Sequence, residues 1–320
     1  MIEAQSFVNS ITSAINGMIQ GNRDMREQRS DRRFAGARVV ITGAGSGIGR
    51  SMAEEIVAEG GRVALWGWHK TNIQEVADEL NERYGSEDHP VAFPFRVDVS
   101  QAPAVNRTAL KTIEALGGVN VVINNAGIIS GKPFKELDDR SVRQTFGVNS
   151  MALFWTTKAF LKELEKHRRA IIVNVASIAG FVSVAGQTDY SASKYAAVGF
   201  TNALRAELKH ERASVKTLLV CPYYIDTGMF SGVDAGLLRQ AMHMLSTDTV
   251  AHTIVDAIAK GKERLFVPTV GGLATLLSAL PVSLADRMLE IMHANDAMTH
   301  FVGRRDAQRS EASTEASPES

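Results

Sequence analysis

A tyrosine and a lysine stand four residues apart in Tyr190-Ser191-Ala192-Ser193-Lys194, where apolar helical spacing begins at Ala197, Val198, Phe200, Thr201, Leu204 and Leu208. On a helix, residues i and i+4 share one face, so the spacing predicts the Lys194 ammonium beside the Tyr190 hydroxyl. A nearby cation favours the phenolate and lowers a pKa that otherwise sits near ~10. The pair then serves as an acid or base at neutral pH. The plain alternative is an amphipathic helix with a buried tyrosine and a snorkelling lysine. The other motifs in the chain argue against it.

The next such stretch is Gly43-Ala44-Gly45-Ser46-Gly47-Ile48-Gly49, between the β-branched run Arg38–Thr42 and a helical pattern at Met52, Ile56 and Val57. A glycine-rich turn from strand to helix lets backbone N–H groups approach a pyrophosphate at the helix N-terminus. The spacing is G-x-x-x-G-x-G rather than G-x-G-x-x-G, and Ser46 and Ile48 join Gly43, Gly47 and Gly49 as expected cofactor contacts. A second strand, Arg62–Trp66, ends in Gly67-Trp68-His69-Lys70, which holds no carboxylate. An acidic residue there binds the ribose of NAD, so its absence, with His69 and Lys70 close by, favours NADP(H) over NAD(H).

Asp98 closes a third strand, Val91–Val99, where its carboxylate can reach an adenine amino group; capping the next helix is the alternative, and Ser100 is also available for that. The fourth strand, Val119–Ile123, ends in Asn124-Asn125-Ala126-Gly127, whose amides can tie strand ends together and line a cofactor cleft, or merely form an Asx turn. Asn149 falls inside a helical pattern from Asp139 to Lys166; a poor helix former there is expected to bond something specific. Ser177 follows the fifth strand, Ala170–Ala176, at the carboxyl edge where open α/β sheets bind ligands.

Strands and helices alternate through a sixth strand at Val215–Val220, a helix at 248–260 and a last strand at Arg264–Pro268. The order predicts an α/β, Rossmann-type, doubly wound parallel sheet of about seven strands in a single domain over 36–270. Pro94 suits an edge strand. Residues 221–245 form a loop-rich candidate lid. An N-terminal helical extension and linker (1–35), a C-terminal apolar helical extension (271–302) and a disordered tail (303–320) flank the domain. The stripe of Ile2, Phe7, Val8, Ile11, Ile15, Met18 and Ile19 has no basic residue on its polar face, so docking on the domain is favoured over a membrane surface. The uncharged run 270–282 is too short to span a bilayer. Core packing is favoured for it, with peripheral membrane contact or a cover for a lipophilic substrate as alternatives. Helical patterns at 150–166 and 190–209 are apolar enough to be shared in a homodimer or homotetramer.

Formal net charge is zero, so no basic surplus points to nucleic acid and no acidic surplus to a cationic partner. The single cysteine, Cys221, excludes an intrachain disulfide framework and suits a reducing, cytoplasmic compartment. The scattered histidines show no metal-ligand spacing, and no metal is expected.

Together, Thr42–Gly49, Asn124-Asn125-Ala126-Gly127, Asn149, Ser177 and Tyr190–Lys194 resemble the short-chain dehydrogenase/reductase family over roughly residues 36–270. The resemblance implies an NAD(P)(H)-dependent oxidoreductase that interconverts an alcohol and a carbonyl compound. It implies that Tyr190 exchanges the substrate proton, Lys194 lowers its pKa and holds the nicotinamide ribose, and Ser177 bonds the substrate oxygen. It further implies that Asn149 positions a relay water, Thr227 touches the carboxamide, and Asp98 and Asn125 flank the adenosine. Phe154–Leu161, Leu65-Trp66-Gly67 and Cys221-Pro222-Tyr223 with Asp226–Phe230 look like the retinol dehydrogenase and 17β-hydroxysteroid dehydrogenase branch, implying a small lipophilic alcohol or carbonyl substrate. A general carbonyl or 3-oxoacyl reductase is the alternative. A non-catalytic nucleotide-binding regulator is the remote one, since it would be expected to lack Ser177, Tyr190 or Lys194.

Overall fold

The computed structural model describes residues 32–223, 225, 226, 229, 245–299 and 301. All but the last four residues of the expected extension at 1–35, most of the candidate lid and the tail lie outside them. The strands are β1 (Arg38–Thr42), β2 (Arg62–Gly67), β3 (Ala92–Arg96), β4 (Val121–Asn124), β5 (Ile171–Val175), β6 (Lys216–Pro222), β7 (Ile225–Asp226), β8 (Leu245–Ser246) and β9 (Arg264–Val267). Seven of them form one parallel sheet in the order β3-β2-β1-β4-β5-β6-β9, and β7 pairs with β8. This is the doubly wound arrangement expected from the alternating pattern. Pro94 sits in β3 at the sheet edge, paired with Leu65 on one side only, where its missing N–H interrupts no second ladder.

The interior strands are apolar on both faces because helices cover both. Val39, Ile41, Leu65, Ile123 and Val173 face helices α1 (Gly47–Ala58), α2 (Lys70–Tyr84) and α7 (Thr247–Ala259). Val40, Trp66, Val122 and Ile172 face α3 (Ala102–Leu116), α5 (Ala152–Leu164) and α6 (Thr188–His210). Trp66 is fully buried against Phe160, and its indole N–H donates to Thr112 Oγ1 at 2.9 Å. Gly117, in the left-handed region at φ 70°, ends α3.

The single helix expected over 139–166 is instead α4 (Asp139–Phe146), a π turn (Gly147–Met151) and α5. The extra residue of the π turn falls around Asn149, whose side chain bonds outside the helix. A buried polar chain begins nearby. Thr156 Oγ1 donates to Asn124 Oδ1 (2.7 Å), Asn124 Nδ2 to Asn174 Oδ1 (2.8 Å), and Asn174 Nδ2 to Thr201 Oγ1 (3.0 Å). It joins β4 and β5 to α5 and α6. Unpaired, any one of these amides would be expensive in this setting.

Past β9, the expected packing of 270–284 into the core is confined to Gly271 and Ala274. A Cβ at Gly271 would collide with Ile178, so the segment approaches the sheet through bare backbone. Leu273, Leu276, Val282 and Leu284 stay exposed, because α8 (Ala274–Leu277) and α9 (Val282–Ile291) lie beyond the edge strand with no second layer among the described residues to receive them. The chain then returns toward the sheet. Phe301 lies against Gly131, and Met298 against Gly186; Ala185 N–H donates to Asn295 Oδ1 at 3.2 Å. Ile129, Ala297, Met298 and Phe301 form a small apolar cluster of their own. Among the described residues no helix is long and apolar enough to cross a membrane.

Asn174→Ala removes the middle of the polar chain at a site with no solvent access. It is expected to destabilise the protein by about 2–4 kcal/mol in urea unfolding. A loss under about 1 kcal/mol would show the chain to be dispensable.

Candidate active site

The carboxyl ends of β1 and β4 meet where the strand order reverses, the position at which doubly wound sheets open a crevice. There the glycine turn is held from behind. Thr42 Oγ1 accepts the N–H groups of Asn125 and Ala126, each at 2.9 Å, and Asn125 Nδ2 donates to the carbonyl oxygens of Thr42 (3.0 Å) and Gly43 (3.4 Å). Gly43 and Gly47 take φ of 69° and 54°, which side chains rarely adopt. A Cβ at Gly49 would collide with the Gly43 carbonyl and stand 2.7 Å from Asn125 Nδ2. Ser46 is the N-cap of α1 without a side-chain capping bond, and Ile48 packs half-buried on the core. The turn therefore presents backbone to the crevice, and its glycines fit the close approach of a pyrophosphate.

At the far side of β1, His69 and Lys70 begin α2, both exposed and without an ion-pair partner among the described residues. Asp98 lies two residues beyond β3. Its Oδ1 accepts from Ser100 N–H (3.0 Å) and Ser100 Oγ (2.7 Å), closing a turn, while Gln101 rather than Asp98 or Ser100 is the N-cap of α3.

On the other side of the crevice, Tyr190 lies in the first turn of α6, buried, with Lys194 one turn on. Lys194 Nζ stands 5.6 Å from the centroid of the Tyr190 ring and donates to the Val175 carbonyl at 3.0 Å. The shared helical face read from the sequence is present. Asn149 accepts from the Ile128 N–H (2.9 Å) and donates to the Ile128 carbonyl (2.8 Å) and Ser193 Oγ (3.0 Å). Gly127 lies between them: a Cβ there would sit 3.5 Å from Lys194 Nζ and 3.6 Å from Asn149 Oδ1. Ser177 follows β5, accepting from Ala179 N–H at 3.1 Å. Gly180, three residues on, abuts the Lys194 carbonyl so closely that a Cβ would stand 2.8 Å from it. That contact holds the Ser177 turn against the helix that carries Tyr190 and Lys194.

Gly127, Asn149, Tyr190 and Lys194 are thus gathered at one place, and Gly43, Gly47, Gly49, Asn125 and Ala126 at another. Thr227 lies outside the described residues. Sequence reasoning missed several supports. Asp189, buried beside Tyr190, accepts from Ser130 Oγ (2.9 Å) and Thr145 Oγ1 (2.7 Å), tying two segments to the start of α6. Its position at the entry of an apolar helix was the available signal. Gly180 and Asn174 showed none, because their partners are distant in sequence.

A family model for short chain dehydrogenase matches residues 37–237. Retinol dehydrogenase 10-A of Danio rerio is 32% identical over 303 residues, covering 88% of each chain. Estradiol 17-beta-dehydrogenase 11 of Mus musculus is 36% identical over 259 residues, covering 81% of this chain and 83% of its own. A solved short chain dehydrogenase/reductase from Burkholderia phymatum, in complex with NAD, superposes with a TM-score of 0.69 at 28% identity, over 81% of this chain and 96% of that one.

Burial pushes the Lys194 ammonium down to about 8, and pushes the Cys221 thiol beneath the sheet end up to about 12. Cys221 is therefore an inert thiol at neutral pH. For Lys194 the sign follows from proton binding. Below about 8 both folded and unfolded chains hold the proton, and the full cost of burying the charge is present. Between that value and the ordinary lysine range only the unfolded chain holds it, so stability rises with pH. Lys194→Met is expected to raise unfolding free energy at pH 7 by up to about 3 kcal/mol, the gap narrowing as pH climbs toward 10. Thermal melts across pH 6–10 check this; a variant less stable at pH 7 would contradict it.

Proposed function

The chain belongs to the short-chain dehydrogenase family, in the branch of the retinol and hydroxysteroid dehydrogenases, and from that membership we propose that Tyr190, Lys194, Ser177 and Asn149 interconvert an alcohol and a carbonyl group on a retinoid or steroid-like substrate. The observation that carries this reading is the buried Lys194 ammonium beside the Tyr190 ring, next to Gly127 and Asn149 at the crevice. A charge is rarely kept in such a place for packing alone.

The nicotinamide cofactor, when bound, supplies the site that accepts or donates the hydride. Gly43, Ser46, Gly47, Ile48 and Gly49 would hold its pyrophosphate, Asp98, Asn125 and Ala126 its adenosine, Gly127 and Lys194 its nicotinamide ribose, and Thr227 its carboxamide. His69 and Lys70, with no carboxylate at the end of β2, support NADP(H) over NAD(H). In the oxidation direction Tyr190, as the phenolate, takes the hydroxyl proton and becomes the neutral phenol, and Lys194 favours the phenolate that must be present beforehand. Ser177 holds the same substrate oxygen, so that its hydrogen bond strengthens as alkoxide charge develops. Asn149 braces Ile128 against Ser193, and the π turn that sets it there supports a role for it in holding a relay water.

The exposed Met151 of the π turn, Phe154 of α5 and Tyr195 of α6 support a homodimer or homotetramer built on those helices. The exposed apolar residues of α8 and α9 support a peripheral membrane contact by an otherwise cytoplasmic enzyme.

Tyr190→Phe removes only the phenolic oxygen. It is expected to lower kcat for all-trans-retinal with NADPH by three or more orders of magnitude, on the order expected when an acid/base and an oxygen-binding group are lost together. Cofactor affinity should stay within about twofold. Near-normal turnover in the variant would sink the assignment of Tyr190. A wild-type protein silent with retinal yet active on other carbonyl compounds would remove the retinoid reading and leave the chemistry.

A further inference from the structure

We propose that Arg96, at the end of the neighbouring strand, is the residue that recognises the 2′-phosphate of NADP(H). The inference rests on the cofactor preference proposed above and names the group that enforces it. Arg96 is the last residue of β3 and pairs in register with Gly67, the last residue of β2. Its guanidinium lies 5.7 Å from the centroid of the Trp68 ring, and Nε donates to the Trp68 carbonyl at 3.3 Å. The inner edge of the fork is thereby fixed. Nη1 and Nη2 have no acceptor among the described residues, and the side chain is exposed. Arg33, Arg38, Arg50, Arg62 and Arg83, by contrast, each direct terminal nitrogens to a carboxylate or carbonyl oxygen.

A planar guanidinium, held over a ring at cation–π distance and open along its outer edge, matches two phosphate oxygens at once with less freedom left to lose. Its surroundings suit the charge. Residues 67–70 carry no acid, and the nearest in sequence, Asp98, turns one oxygen onto Ser100. A carboxylate cannot readily be placed at the end of β2, because a Cβ on Gly67 would stand 2.5 Å from Ile73 Cγ2. The anion-repelling group that NAD-selective sheets carry there is therefore excluded by packing as well as by sequence. Lys70 adds positive charge at the same turn and His69 a polar ring, but neither side chain is held by a partner among the described residues. Arg96 alone of the three is immobilised in advance, and discrimination is assigned to it.

Binding of two fragments tests this without turnover. Adenosine 2′,5′-bisphosphate carries the 2′-phosphate; adenosine 5′-monophosphate lacks it. Calorimetric titration of wild type should show the bisphosphate binding at least about tenfold tighter, the increment typical of hydrogen bonds to a charged group. Arg96→Ala should lose that increment and leave 5′-monophosphate affinity unchanged, which also reports an intact fold. Arg96→Lys should recover part of it. If wild type discriminates and Arg96→Ala still does, the assignment to Arg96 is overturned while the preference for NADP(H) stands. If wild type does not discriminate, the preference itself fails and takes this role with it.

Discussion

Much of the molecule is arranged so that one ammonium group can be kept away from water. Lys194 reaches the Val175 carbonyl at the end of β5 and lies against the Tyr190 ring, and its burial alone is enough to bring its proton affinity down to about 8. Such a charge stays put only if the elements around it cannot shift to let water in. Gly180 closes one side by lying on the helix backbone at Lys194, Gly127 leaves room for Nζ on another, and Asn149 ties Ile128 to Ser193 across the third. Each of these contacts reads as a packing detail until the charge they enclose is considered.

The crevice on the opposite side depends on the same economy of atoms. Thr42 gives one hydroxyl oxygen to two N–H groups, and Asn125 returns its amide to the glycine turn, so the backbone of β4 fixes the shape of the loop after β1. The asparagine expected to face a cofactor thus helps to build the surface that would. The two halves meet at the switch point, and the buried run Thr156–Asn124–Asn174–Thr201 joins them from below. Both substituents of the reaction are presented from a frame whose polar groups are almost all engaged with one another.

How far the sequence was legible varies with the distance over which each feature is decided. Strands and helices were readable because apolar runs and glycine stops act within a few residues; the left-handed Gly117 and the edge-strand Pro94 lie where their chemistry places them. Tyr190 and Lys194 were readable for the same reason, one helical turn being a local ruler. The π turn at Asn149 was not, since helical periodicity runs through it and only the bond to Ile128 makes the extra residue worthwhile. Arg96 belongs to the turn after β2 only because parallel pairing sets it beside Gly67. The uncharged run near residue 275 reads as core by composition and stays largely exposed, because no layer among the described residues covers it.

The segment from Asn295 to Phe301 adds a consequence in time. It supplies the side chains that seat against Gly131 and Gly186, and its bonds to Ala185 and Gln187 bridge 110 and 111 residues of chain. A ribosome adds about 5–20 residues per second, so those loops are made roughly 5–35 seconds before the side chains that pin them. During that interval the sheet and the Tyr190 helix can form while the loops leading into the site stay unbraced. In a nascent chain the sheet can therefore take shape before these loops are closed around the site.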